Sequence, residues 1–160
     1  MNKQNHLAKM ILVATMRHDG QFDKGGKPYI LHPLSVMHLL HTDDEELMAI
    51  AVGHDLIEDT FLAKGQSLQE AIVFLQNEGF TQRITTGIVG MTKLPGQSPA
   101  AYRLQVKGSL DTIRVKMADL RHNSDVRRLK GVSQKDLDRV AYYMAFYEEL
   151  KAEKIRRAQG

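Results

Sequence analysis

From residue 5 to residue 157 the apolar side chains recur at helical spacing, and no stretch alternates apolar and polar residues as a half-buried strand would. That pattern confines the chain to helix-on-helix packing. Residues 5–18 put Leu7, Met10, Ile11, Ala14 and Thr15 on one face, and "DGQFDKGGKPY" then breaks both periods with Gly, Asp and Pro. Pro33 suits the first position of a short helix to about His41, and "TDDEE" supplies a cap and first-turn acids for a helix over 45–59. "SLQE" at 67–70 has capping-box spacing for a helix to about Asn77, followed by Gly79. Residues 81–92 repeat the helical pattern, and Ser98-Pro99 reads as cap and first turn of the next helix. A helix is expected from about 111 to 129, and Ser133 with Asp136 opens a last one to about Arg157. The expected fold is all-α, an array of about seven to nine helices in one domain, 1–160.

Cysteine is absent, which excludes disulfides and thiolate metal sites. No run of 18 apolar residues occurs, and the N-terminal segment reads as an amphipathic helix, not a signal peptide, so a cytoplasmic location is expected. The net charge of +3 is mild, and much of it lies in "KAEKIRRAQG", where Lys and Arg complement a helix C-terminus. Neither nucleic acid nor a membrane is expected as a partner.

Against this background "VGHDLIEDT", residues 52–60, is anomalous, because it brings four ionisable groups to what its neighbours make core. Burying such groups is costly unless they are paired, metal-bound or functional. On a continuous helix His54 and Glu58 share one face, and Asp55 and Asp59 share the adjoining one. Imidazole and carboxylate suit a divalent ion such as Mn²⁺, Fe²⁺, Zn²⁺ or Mg²⁺, and Glu58 one turn on is placed to handle the proton of an activated water. Read alone, the segment also admits a satisfied buried His–Asp pair. His32, between Leu31 and Pro33, and Asp119, after Val115, Met117 and Ala118, show the same anomaly. Together they make a His, His-Asp, Asp set that leaves metal positions open for water and substrate.

The ordered blocks "HDGQFDKGGKPYILHP", "GHDLIEDT" and "VKMADLRHN" resemble the HD-domain metal-dependent phosphohydrolases, within them the RelA/SpoT-type domains that degrade (p)ppGpp. The resemblance implies an HD-domain helical array in which His32, His54, Asp55 and Asp119 hold one divalent metal, Mn²⁺ by preference. It implies that Glu58 and Asp59 orient or deprotonate the attacking water. Lys24, Tyr102, Arg103 and Asn123 then fall at substrate-contacting positions. The implied reaction is hydrolysis of the 3′-pyrophosphate of a small-molecule nucleotide. The alternatives are an HD nucleotidase acting on (d)NMPs and a catalytically silent nucleotide- or RNA-binding module.

One departure stands out. Many alarmone hydrolases carry in the first block an Arg that packs on guanine, where this chain has Asp23, which cannot stack. The loop is therefore expected to bind that base weakly. Elsewhere, His38 and His41 read as packing or surface residues, His122 as a group orienting Asp119 or substrate, and the Tyr142, Tyr143, Phe146, Tyr147 cluster as core or interface.

Overall fold

The computed structural model describes residues 4–160, so the first three residues of the expected domain lie outside it. In chain order the α-helices are α1 (His6–Arg17), α2 (Leu31–Leu39), α3 (Glu45–Gly53), α4 (Leu56–Thr60), α5 (Leu68–Asn77), α6 (Gln82–Met91), α7 (Pro99–Val106), α8 (Leu110–Asn123) and α9 (Gln134–Gln159). Short 3-10 turns at Leu62–Lys64 and Val126–Arg128 join them. Among the described residues there is no strand, only one bridge between Phe22 and Pro28. No helix there is long and apolar enough to cross a membrane.

The caps form where short polar side chains precede apolar runs. Asn5, Asp44, Thr81, Ser98 and Ser109 each accept a backbone N–H of the first turn, and Ser67–Glu70 and Ser133–Asp136 close reciprocal capping boxes. Three boundaries differ from expectation. The helix expected over 45–59 is broken at His54 and Asp55. The one expected to 129 stops at Asn123, where Asp125 caps the 3-10 turn instead. The second helix starts at Leu31, two residues before Pro33, and ends before His41, whose φ is +47°. His38 and His41 are both exposed.

α3 is apolar on all sides, and Leu47, Ala49, Ile50, Ala51 and Val52 are fully buried. Such a helix has to be central, and α1, α2, α6 and α8 pack around it. Two helical glycines permit the close crossing of α3 and α6. A Cβ on Gly87 would meet Ile50 Cδ1 at 2.5 Å, and one on Gly53 would meet Ile88 Cδ1 at 2.6 Å. α8 joins this core to a smaller one. Its Val115 and Ala118 belong to the main cluster, while Ile113 and Leu120 pack with Phe146 and Leu150 of α9. Asp119 lies on the seam.

Outside the core Arg83 of α6 ties three elements together. Its guanidinium lies 2.7 Å from the Asp44 cap of α3, 3.4 Å from Glu46 and 2.8 Å from Asp111 in the first turn of α8. Hydrogen bonding to Arg83 holds Asp44 below the usual carboxylate range. The contribution of this pair is therefore complete above the unfolded value near pH 4 and is lost as pH falls through the lower folded value. The Arg83 side chain is 38% exposed, so solvent screening keeps the effect small. Arg83→Ala is expected to lower unfolding stability by about 1 kcal/mol at pH 7. Urea titrations should show that difference shrinking toward pH 3 and in high salt.

Candidate active site and metal centre

Four side chains from three regions converge beneath the seam. His32 Nε2 lies 3.0 Å from Asp119 Oδ1 and 3.6 Å from Asp55 Oδ2. His54 Nε2 lies 2.9 Å from Asp55 Oδ2 and 3.4 Å from Asp119 Oδ1. The break after α3 makes this possible. Successive residues of a continuous helix diverge by about 100°, so His54 and Asp55 could not reach one point from it. With Asp55 at φ −100° and ψ 0°, both do. The shared helix face expected of His54 and Glu58 is thereby corrected, because His54 lies in the turn that ends α3 and Glu58 on α4, although both line one cavity.

The donor set fits a divalent cation. His54 Nδ1 donates to the Ala51 carbonyl at 2.7 Å, since a carbonyl only accepts, and this leaves Nε2 bare in the neutral ring. That Nε2 is buried, has no hydrogen-bond partner and faces two carboxylate oxygens. Lone pairs so opposed require a positive charge between them. Burial opposes charging His54, yet Asp55 and Asp119 outweigh it and raise its pKa well above the ordinary value. A metal ion answers the same demand, and His32, His54 and Asp119 offer ligand atoms within 4.8 Å of one another.

Further partners fix each ligand. Burial favours protonated Asp119, but Lys116 and the two imidazoles hold it well below its usual range. Lys116 Nζ lies 2.8 Å from Oδ2, and the Asn123 amide donates to Oδ1 at 2.8 Å. The Tyr29 hydroxyl donates to Asp55 Oδ2. Burial likewise works against ionised Asp55, and His54 overrides it. His32 Nδ1 faces His122 Nδ1 at 2.7 Å. Burial and Arg128 lower the His122 pKa to about 4, so its ring is neutral at pH 7 and one proton is shared across this contact; the tautomer with that proton on His32 Nδ1 leaves His32 Nε2 bare. Of the two roles expected of His122, orienting Asp119 is replaced by this contact with His32.

Glu58 and Asp59, adjacent on α4, diverge. Glu58 Oε1 accepts the Lys93 N–H at 2.9 Å and its carboxylate lines a cavity with His54 and Asp55. Burial raises its pKa. Asp59 lines neither main cavity, and burial with the Asp55 and Glu58 charges pushes it up to about 7.

Two cavities flank the ligands and share Tyr143. One, of about 340 Å³, adds Lys93, Tyr102, Lys116 and Phe146 to Glu58. The other, of about 270 Å³, holds Lys24, Tyr29, Asn123, Arg128 and Arg139. Lys24, Asn123 and Tyr102 therefore border cavity space, although the Tyr102 hydroxyl is engaged with the Met91 carbonyl at 2.8 Å. Arg103 borders neither cavity, and its guanidinium bonds the Tyr142 hydroxyl at 3.1 Å and lies 3.7 Å from Glu149. Phe146 belongs to the smaller core with Tyr143 and Tyr147 packed on it, as expected, and Tyr142, Tyr143 and Phe146 also line the larger cavity. Tyr29, Lys93, Lys116, Arg128 and Arg139 were not singled out in the sequence. Only Lys116, three residues before Asp119 on one helix, carried a local signal.

No family model matches the chain. In three dimensions it superposes on a metazoan ortholog of SpoT that hydrolyses ppGpp, with TM-score 0.73 and 17% identity, covering all of this chain and 98% of the other. The fold is thus the all-α HD type, with the two histidines and two aspartates gathered at its centre. By sequence the chain is a relative of the RelA/SpoT-type proteins. It is 32% identical over 136 residues to a GTP pyrophosphokinase rsh of Brucella ovis and 30% identical over 151 residues to a GTP pyrophosphokinase of Myxococcus xanthus. These alignments take in 81% and 84% of this chain and 18% of each relative. It is also 44% identical over 62 residues to a guanosine-3′,5′-bis(diphosphate) 3′-pyrophosphohydrolase of Haemophilus influenzae, which is 37% of this chain and 9% of that protein. The chain thus spans less than a fifth of the length of these relatives.

Asp119→Ala would remove one of the candidate ligands and strand Lys116. The variant is expected to lose its bound divalent ion while remaining helical by circular dichroism. Elemental analysis after dialysis and calorimetric Mn²⁺ titration check this, and stoichiometric metal in the variant would refute the ligand set.

Proposed function

We propose that this chain is a cytoplasmic, Mn²⁺-dependent phosphohydrolase of a small phosphorylated nucleotide, with a (p)ppGpp-like 3′-pyrophosphate as its substrate. The observation that carries the reading is the bare His54 Nε2 among two carboxylates, beside a Glu58 that opens on the same cavity. The names of the relatives support the choice of substrate.

A divalent ion held by His32, His54, Asp55 and Asp119 would polarise a phosphoryl oxygen and make a nearby water more acidic. The rest falls to the chain. Glu58, aimed by the Lys93 N–H, takes a proton as the water oxygen bonds to the phosphorus next to the 3′-oxygen. The bond from that phosphorus to the 3′-oxygen breaks, pyrophosphate leaves, and the proton ends on the 3′-oxygen. Tyr29 steadies Asp55, and Asp59, whose carboxyl is raised to about 7 by burial and the neighbouring charges, completes the acidic pair beside Glu58. Lys116, 2.8 Å from Asp119, and Lys93 offset the negative charge gathered on the phosphates. Lys24 and Asn123 border the space left for the nucleoside, with Tyr102 and Arg103 behind the phosphates.

Glu58→Gln keeps size and hydrogen bonding but removes the base. Metal content should be unchanged and turnover should fall by roughly 10²–10⁴. A panel of nucleotides with Mn²⁺, read for pyrophosphate against orthophosphate, tests the substrate. Orthophosphate from (d)NMPs with none of the pyrophosphate product would replace this reading with the nucleotidase.

A further inference from the structure

Asp23 does not project its charge freely into the smaller cavity. Its Oδ1 accepts the Lys27 N–H at 2.9 Å across the turn, and its Oδ2 lies 3.5 Å from Arg128 Nη2. Arg128 comes from the 3-10 turn beyond α8 and also donates to the His122 carbonyl at 3.0 Å and to Asn123 Oδ1 at 3.2 Å. The two segments are in backbone contact. A Cβ on Gly25 would come within 2.2 Å of the Arg128 carbonyl. The first block thus holds a guanidinium supplied from beyond the end of the third.

We infer that Arg128, held by Asp23, is the flat cation on which a purine base stacks in the smaller cavity. The inference rests on the nucleotide reading above and adds where the base lies and what recognises it. Charge compensation decides between base and phosphate. Arg128 is paired with Asp23, Arg139 lies 2.6 Å from Asp136, and Asp125 lies 2.8 Å from Arg127. The cavity therefore holds little surplus charge for a phosphate, apart from the exposed Lys24. It offers planes instead: two guanidiniums and the rings of Phe22, Tyr29 and Tyr143, with Phe22 left 66% exposed. Arginine planes stack on bases in this manner, and an ammonium cannot.

The test is calorimetric binding of GDP and of inorganic pyrophosphate to the Mn²⁺-loaded wild type, Arg128→Ala and Arg128→Lys. GDP affinity should fall roughly tenfold to hundredfold in Arg128→Ala. It should fall nearly as far in Arg128→Lys, which keeps the charge and loses the plane. Pyrophosphate, which has no base, should bind all three alike. Unchanged GDP affinity, equal losses for GDP and pyrophosphate, or full rescue by Lys would each overturn the inference, as would a wild type that binds no GDP. The two readings fail separately. A wild type that binds GDP through Arg128 but leaves ppGpp intact removes the proposed reaction and keeps this assignment. A wild type that cleaves ppGpp with GDP binding indifferent to Arg128 does the reverse.

Discussion

Two carboxylates, Asp119 buried and Asp55 half-buried, directed at two buried imidazoles are the constraint that the surrounding structure answers. Asp55 and Asp119 lie within 4 Å of the same ring nitrogens, and the interior strengthens repulsion as readily as attraction. Each group is held by something else: Asp119 by Lys116 and Asn123, Asp55 by Tyr29, His54 by a backbone carbonyl and His32 by His122. The ligands are therefore set in position before any ion arrives. A centre that does not have to reorganise binds its ion with less entropic cost.

The position of this centre follows from the packing. α3 is buried on every side, so its C-terminus ends deep in the protein, where His54 caps it. α8 runs between the two apolar clusters and delivers Asp119 between Ala118 and Leu120, one packed in each. Gly53 and Gly87 bring α3 and α6 close together immediately before the ligand pair. A methyl group there would press on the backbone that aims His54, so core packing and site geometry are mechanically one problem.

Much of this was legible in the sequence. Helical spacing and short polar caps located eight helical segments, one of which is two helices, α3 and α4, because both signals are local. The ligands were visible because acids and imidazoles in apolar company need a reason to be there. The break at His54 and Asp55 was not legible. Apolar spacing continues through Leu56 and Ile57, both fully buried, and only convergence on a common point demands the interruption. The Asp23–Arg128 pair was hidden for a related reason. Its members are far apart in sequence, so Asp23 looked like a loss of function in its loop when its partner was out of view. Arg103 matched a loose alignment, yet it faces Tyr142 and Glu149 because α7 turns that residue toward α9.

α9 supplies Arg139 to one cavity, Tyr142 and Phe146 to the other, and Tyr143 to both, but none of the four converging ligands. The last helix thus shapes both cavities without entering the cluster of imidazoles and carboxylates. Natural variation along α9 can reshape what enters the site without disturbing the ion-binding centre.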